Sequence, residues 1–148
     1  MATVAVGQEA PNFTLRNEDN QEVELASLRG GPVVLVFYPL DFSPLCTNEL
    51  CGIRDDYSEF QSKGATVFGI SRDSTWAHKA FKEKENLSHS LLADMKGEVA
   101  TLYGCWNADI GIAERLTVVI DAGGIIRYVT HNSPAEARDH KEAITALG

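Results

Sequence analysis

Two stretches of the chain, Pro32-Val33-Val34-Leu35-Val36-Phe37-Tyr38 and Ala65-Thr66-Val67-Phe68-Gly69-Ile70, are almost continuously apolar. That is the profile of strands buried on both faces. Between them, residues 45–62 place Leu50, Ile53, Tyr57 and Phe60 at helical spacing, and Ser43-Pro44 stands just ahead. Serine at the N-cap and proline at the first helical position form a strong start signal. A strand, a helix and a strand in that order predict a right-handed parallel crossover.

Upstream, Asn12-Phe13-Thr14-Leu15 and Gln21-Glu22-Val23-Glu24-Leu25 flank the polar Asn17-Glu18-Asp19-Asn20, which reads as a hairpin. Downstream, Asp73 or Ser74 can cap a helix with Trp76, Ala77, Ala80 and Phe81 facing inward, and a shorter helix is expected over residues 97–103. Leu116-Thr117-Val118-Val119-Ile120 and Ile125-Ile126-Arg127-Tyr128-Val129, joined by Asp121-Ala122-Gly123-Gly124, read as an antiparallel hairpin. Ser133-Pro134, with Glu136 placed for a capping box, is expected to open a last helix. This order predicts an α/β protein: a central mixed sheet flanked by helices, with an N-terminal β-hairpin extension, consistent with a thioredoxin-like fold.

The chain's 148 residues suffice for one core, and a composition of 44% hydrophobic and 23% charged residues calls for no second domain. Residues 1–148 are therefore read as a single domain. A net charge of -8 with no Lys/Arg cluster argues against nucleic-acid binding. Met1-Ala2-Thr3-Val4-Ala5-Val6 has neither a basic leader nor a long apolar stretch, and the longest apolar run, residues 32–40, is too short to span a bilayer. The expectation is a cytoplasmic protein with no membrane partner.

Three cysteines, Cys46, Cys51 and Cys105, are too few for a secreted disulfide framework and point to catalytic or metal chemistry. Metal is disfavoured because no second Cys or His pair at ligand spacing accompanies them, and His78, His89, His131 and His140 are expected on the solvated surface. No cofactor is called for. With Ser43 as N-cap and Pro44 at N1, Cys46 falls at N3, where backbone N–H groups lack intrahelical partners and the helix dipole favours a thiolate. It also follows the carboxyl end of a buried strand, where α/β proteins bind ligands.

The string Tyr38-Pro39-Leu40-Asp41-Phe42-Ser43-Pro44-Leu45-Cys46 resembles the peroxiredoxin active-site signature of proline, three residues, threonine or serine, two residues and cysteine, matched by Pro39, Ser43 and Cys46. The likeness extends to Asn12-Phe13-Thr14-Leu15, to Glu49, and to Arg115 ahead of a strand, and looks closest to the bacterioferritin comigratory protein (Q type) and alkyl hydroperoxide reductase E branches. It implies a thiol-dependent peroxidase acting on hydrogen peroxide or an alkyl hydroperoxide. Cys46 would be the peroxidatic nucleophile, Ser43 and the Cys46 N–H would hold the peroxide, and Arg115 would stabilise thiolate and developing oxygen charge. Pro39 would shield the sulfur from water. Loss of Arg115 is expected to cost rate, not folding.

The resemblance further implies that a Cys46 sulfenic acid condenses with Cys51, five residues on, and that thioredoxin, a glutaredoxin-like protein or a low-molecular-weight thiol reduces the disulfide. On an α-helix that spacing sets the Cα atoms about 8.7 Å apart, beyond the ~7 Å a disulfide tolerates. The helix must therefore unwind to resolve, and Gly52 lowers the cost. Alternatives are a one-cysteine peroxidase resolved by an external thiol, or a non-enzymatic thiol redox sensor. A disulfide oxidoreductase fits less well, since it would use a Cys-x-x-Cys pair. Cys105 is expected to be a packed structural thiol. The chain stops soon after its last helix, so a monomer or homodimer is expected over a decamer.

Overall fold

The computed structural model describes residues 3–136, 138 and 140–147. Its centre is a seven-stranded mixed sheet in the order Glu22–Glu24 (β2), Thr14–Asn17 (β1), Ser90–Ala93 (β5), Thr66–Ser71 (β4), Val33–Phe37 (β3), Arg115–Ile120 (β8) and Ile126–Asn132 (β9). The middle strands, β3 (Val33–Phe37) and β4 (Thr66–Ser71), run parallel, and β5 (Ser90–Ala93) continues the parallel set. The predicted N-terminal hairpin, β1 (Thr14–Asn17) and β2 (Glu22–Glu24), is present and extends the sheet antiparallel to β5. On the other side β8 (Arg115–Ile120) pairs antiparallel with β3, and β9 (Ile126–Asn132) pairs with β8.

Residues of β3 alternate between two cores because successive side chains leave opposite faces of a strand. Val33, Leu35 and Phe37 join Phe68, Ile70, Leu116 and Val118 under α4 (Glu98–Tyr103). Val34, Val36 and Tyr38 join Leu50 and Ile53 of α1 (Pro44–Asp55), Phe60 of α2 (Tyr57–Ser62), Phe81 of α3 (Thr75–Glu85) and Ile144 of α5 (Lys141–Ala146). On this second face Gly69 makes room for Tyr38, whose Cε1 would lie 3.1 Å from an added Cβ. Helices on both faces of a mixed sheet give the expected thioredoxin-like arrangement. Among the described residues no helix is long and apolar enough to cross a membrane.

The expected helix over residues 45–62 is two helices, since the chain leaves helical geometry at Asp56 (φ -97, ψ 10). In α3, Ser74 caps as expected, accepting from the Ala77 N–H at 3.1 Å, but the inward face is His78 and Phe81. Trp76 is 85% exposed and Ala80 is also outside. Residues 78 and 81 share a helix face and 76 does not, so a hydrogen-bonded histidine took the buried place that composition assigned to tryptophan. The expected surface position of the histidines also fails: His78 is 0%, His89 1% and His140 8% exposed, and His131 is half-buried against Glu114.

Ser133 and Glu136 do make the expected contact, with Ser133 Oγ donating to Glu136 Oε1 at 3.0 Å, yet it closes a turn, and α5 begins at Lys141. Ala137 and Asp139, inside the expected helix, lie outside the described residues. The strand β5 and the short pair β6 (Trp106–Asn107) and β7 (Ile112–Ala113) had no expectation, being too short for a period to show.

Candidate active site

Parallel pairing brings the carboxyl ends of β3 and β4 to one edge of the sheet, and the loops that follow them meet there: the Asp41 N–H donates to Asp73 Oδ2 at 2.8 Å. Antiparallel pairing of β8, with Thr117 opposite Val36, brings its first residue, Arg115, to that same edge. Cys46 thus lies in the first turn of a helix that leaves β3 where Arg115 enters β8. Pro39, buried, is also at this edge.

Ser43 is the N-cap residue and Pro44 starts α1, as expected, which puts Cys46 at the third helical position. Ser43 does not cap with its side chain; its Oγ donates to the Leu40 carbonyl at 3.0 Å, while its own carbonyl accepts from Thr47 N at 2.9 Å and from Thr47 Oγ1 at 2.8 Å. The preceding residue, Phe42, holds φ 68, a left-handed conformation rare for a bulky side chain. Cys46 is a free thiol with 0% exposure.

One helical turn on, Glu49 collects two arginines. Arg115 Nη1 donates to its Oε1 at 2.5 Å. Arg138 donates to it from the backbone N–H at 2.8 Å and from Nε and Nη2, each at 3.3 Å. Other donors of the two arginines bind nearby acceptors: Arg115 Nε binds the Pro134 carbonyl at 2.9 Å, and Arg138 binds Thr117 Oγ1 at 3.1 Å and the Phe37 carbonyl at 2.5 Å. Side-chain exposure is 2% for Arg115, 4% for Glu49 and 2% for Arg138. Burial pushes the Arg138 pKa down from its usual value; Glu49 pulls the other way, and so does the Cys46 sulfur, which is near enough to act on it.

Two guanidinium groups against one carboxylate leave one positive charge in a dry site beside Cys46. This cluster is built from α1, β8 and the segment after β9. Of its members the sequence pointed to Arg115 and Glu49 but not Arg138, which stands in a stretch read as the start of a helix and carries no local signal. Arg115 is buried and holds Glu49, so its removal is expected to disturb packing and charge balance as well as rate.

A second buried network fixes the loop that precedes Cys46. Tyr38 Oη donates to Asp41 Oδ1 at 2.5 Å, and Asp41 Oδ2 lies 2.7 Å from His78 Nδ1, whose Nε2 is 3.0 Å from the Leu92 carbonyl. Burial, then the Asp41 charge, raises the Tyr38 pKa well above its ordinary value and keeps it a donor. Asp41, Asp73 and His78 are the described side chains whose ligand atoms, within 4.8 Å of one another, come closest to a metal set. Those atoms already bind each other, Tyr38 and Ser71.

Cys51 is half-buried on α1, its Sγ–H donating to Glu85 Oε1 at 3.4 Å. Helix α1 is continuous through Cys46 and Cys51, both free. Cys105 is 1% exposed and burial raises its pKa steeply, in keeping with a packed thiol.

The model of the AhpC/TSA family matches residues 6–129. Putative peroxiredoxin bcp of Coxiella burnetii is 41% identical over 133 residues, 86% of this chain and 88% of the relative. Peroxiredoxin Q, chloroplastic, of Oryza sativa is 42% identical over 131 residues, 87% of this chain, and the match spans 60% of that relative's length. Among solved structures, peroxidoxin BcpB of Mycobacterium tuberculosis superposes with TM-score 0.87 at 31% identity, covering 96% of this chain and 95% of that one. The reduced 2-Cys peroxiredoxin of Plasmodium vivax gives 0.89 at 30% identity, with coverage of 97% and 80%.

Proposed function

Because this chain belongs to the AhpC/TSA family of peroxiredoxins, we propose that it is a thiol-dependent peroxidase that reduces hydrogen peroxide or an alkyl hydroperoxide at Cys46. The observation that carries the reading is the surplus positive charge of Arg115 and Arg138 over Glu49 beside a cysteine in the first turn of a helix. Donors fixed in a water-free site stabilise charge as it develops. They act here on both the sulfur and the peroxide oxygens.

The Cys46 thiolate attacks one oxygen, the O–O bond breaks, and the other oxygen leaves as hydroxide or alkoxide and takes a proton. Ser43 Oγ gives up its bond to Leu40 to hold the peroxide, and Pro39, with no N–H, keeps competing water away. Since Cys46 has 0% exposure, the side chains that cover it must part for the substrate to reach it. The sulfenic acid is then attacked by Cys51, water leaves, and a thioredoxin-like or low-molecular-weight dithiol restores both thiols. A reducing, cytoplasmic location and a monomer or dimer belong to the same proposal.

The test is intact mass after one equivalent of hydrogen peroxide, paired with NADPH consumption through thioredoxin and its reductase. Wild type is expected to lose two mass units and to turn over; Cys51→Ser should gain one oxygen, and Cys46→Ser should do neither. Undiminished turnover in Cys46→Ser overturns the assignment. Stoichiometric oxidation without turnover by any thiol makes the protein a sensor.

A further inference from the structure

We propose that Glu85 is a positioning residue for the resolving step, its carboxylate holding Cys51 on the intact helix as a thiol until α1 unwinds. This rests on the reading of Cys51 as the resolving cysteine. Glu85 is the last residue of α3 and touches α1 twice: its Oε1 accepts from Cys51 Sγ–H at 3.4 Å, and its carbonyl accepts from Arg54 Nη1 at 2.6 Å. Cys51 and Arg54, three residues apart, lie on one helix face. One residue therefore clamps the part of α1 that has to come loose.

Among the described residues, the charged groups that act on Cys51 are Glu85 from α3 and Arg54 and Asp55 from its own helix, with Arg54 Nε bound to Asp55 Oδ1 at 3.0 Å. A thiolate at position 51 would meet the Glu85 carboxylate as a like charge, so the protonated form is favoured. Burial first, then the Glu85 hydrogen bond, raises the Cys51 pKa, and Arg54 opposes. Thiolate is the attacking form in sulfur exchange. Cys51 is thus held back twice on the folded helix, by protonation and by position.

Resolution breaks the Cys46 S–O bond and forms the S–S bond. The Cys51 proton departs with the hydroxyl as water, so the sulfenic sulfur is reduced and the Cys51 thiol oxidised. Until the contacts to Glu85 break, the sulfenic acid persists and a second peroxide can carry it to the sulfinic acid. Glu85 would then set how readily the enzyme is overoxidised.

The experiment uses Glu85→Gln, which keeps an acceptor and removes the charge, and Glu85→Ala, which removes both. In a Cys46→Ser background, iodoacetamide alkylation of Cys51 is followed against pH by peptide mass; in the Cys46 protein, disulfide formation after one equivalent of hydrogen peroxide is followed by acid-quenched mass. Both variants should displace the alkylation profile to lower pH, with rates at pH 7 about threefold to tenfold higher, and both should form the disulfide faster, Glu85→Ala the more so. Superimposable alkylation profiles with normal disulfide formation overturn the role of Glu85 and leave Cys51 as the resolving cysteine. A displaced profile with unchanged disulfide rates overturns the gating. A sulfenic acid that persists in all three proteins, with no disulfide, overturns the assignment of Cys51 itself.

Discussion

Glu49 accepts four hydrogen bonds from two buried arginines, and Glu49→Gln removes the only charge among these three side chains that offsets them. The substitution preserves shape, so no cavity confuses the result. Glutamine offers one accepting oxygen, and its NH2 must face arginine donors. Removing one partner of a buried ion pair costs about 3–5 kcal/mol. For a domain of this size each kcal/mol moves Tm by about 2–4 °C, so a drop of about 6–20 °C is expected in scanning calorimetry at pH 7. The double variant Glu49→Gln/Arg138→Met should lose less than the sum of the singles, with a coupling of about 1–3 kcal/mol, because the second change removes a charge the first left unbalanced. A Tm change under about 2 °C, or additive losses, would mean that the arginines find solvent, and the case for a dry positive site at Cys46 would fail.

Three further expectations follow from particular contacts. In Gly69→Ala the new Cβ meets Leu91 Cδ2 at 2.8 Å and Tyr38 Cε1 at 3.1 Å; overpacking should cost about 1–3 kcal/mol, read as a lower urea midpoint. His89 is buried, and among the described residues neither ring nitrogen has a hydrogen-bond partner; burial first, then the charges of Lys82 and His140, pushes its pKa down from 6.5 to about 3. The unfolded chain then binds the extra proton below pH 6.5, so stability falls as pH drops from there toward 3. Between pH 7 and 5 wild type should lose about 2 kcal/mol more than His89→Phe, and equal losses in urea titrations would refute the assignment. Finally, peroxide-oxidised protein should lose amide-exchange protection across residues 45–54 relative to reduced protein, since the disulfide cannot form on an intact helix; equal protection would contradict the unwinding.

Local pattern determined a good deal of this molecule. The apolar runs that became β3 and β4, the Ser43-Pro44 helix start, the hairpins β1-β2 and β8-β9 and the Ser74 cap each carry a signal within a short stretch of sequence, written in period, turn and capping chemistry. As candidates, Cys46 and Ser43 were legible for the same reason, standing at one helix start after a buried strand, whereas Pro39 was picked out by a family resemblance. Arg115 and Glu49 were legible only through a family resemblance. What the tertiary structure alone decided is which distant groups share the dry space around the sulfur. Arg138 reaches Glu49 across 89 residues of sequence, and His78 reaches Asp41 across 37. Buried charges and polar rings find places by mutual hydrogen bonding once the strands have set the register, and a one-dimensional pattern of apolar positions holds no record of such pairings. Hence Trp76 was assigned inward and His78 outward, the reverse of what packing and a fully bonded imidazole require.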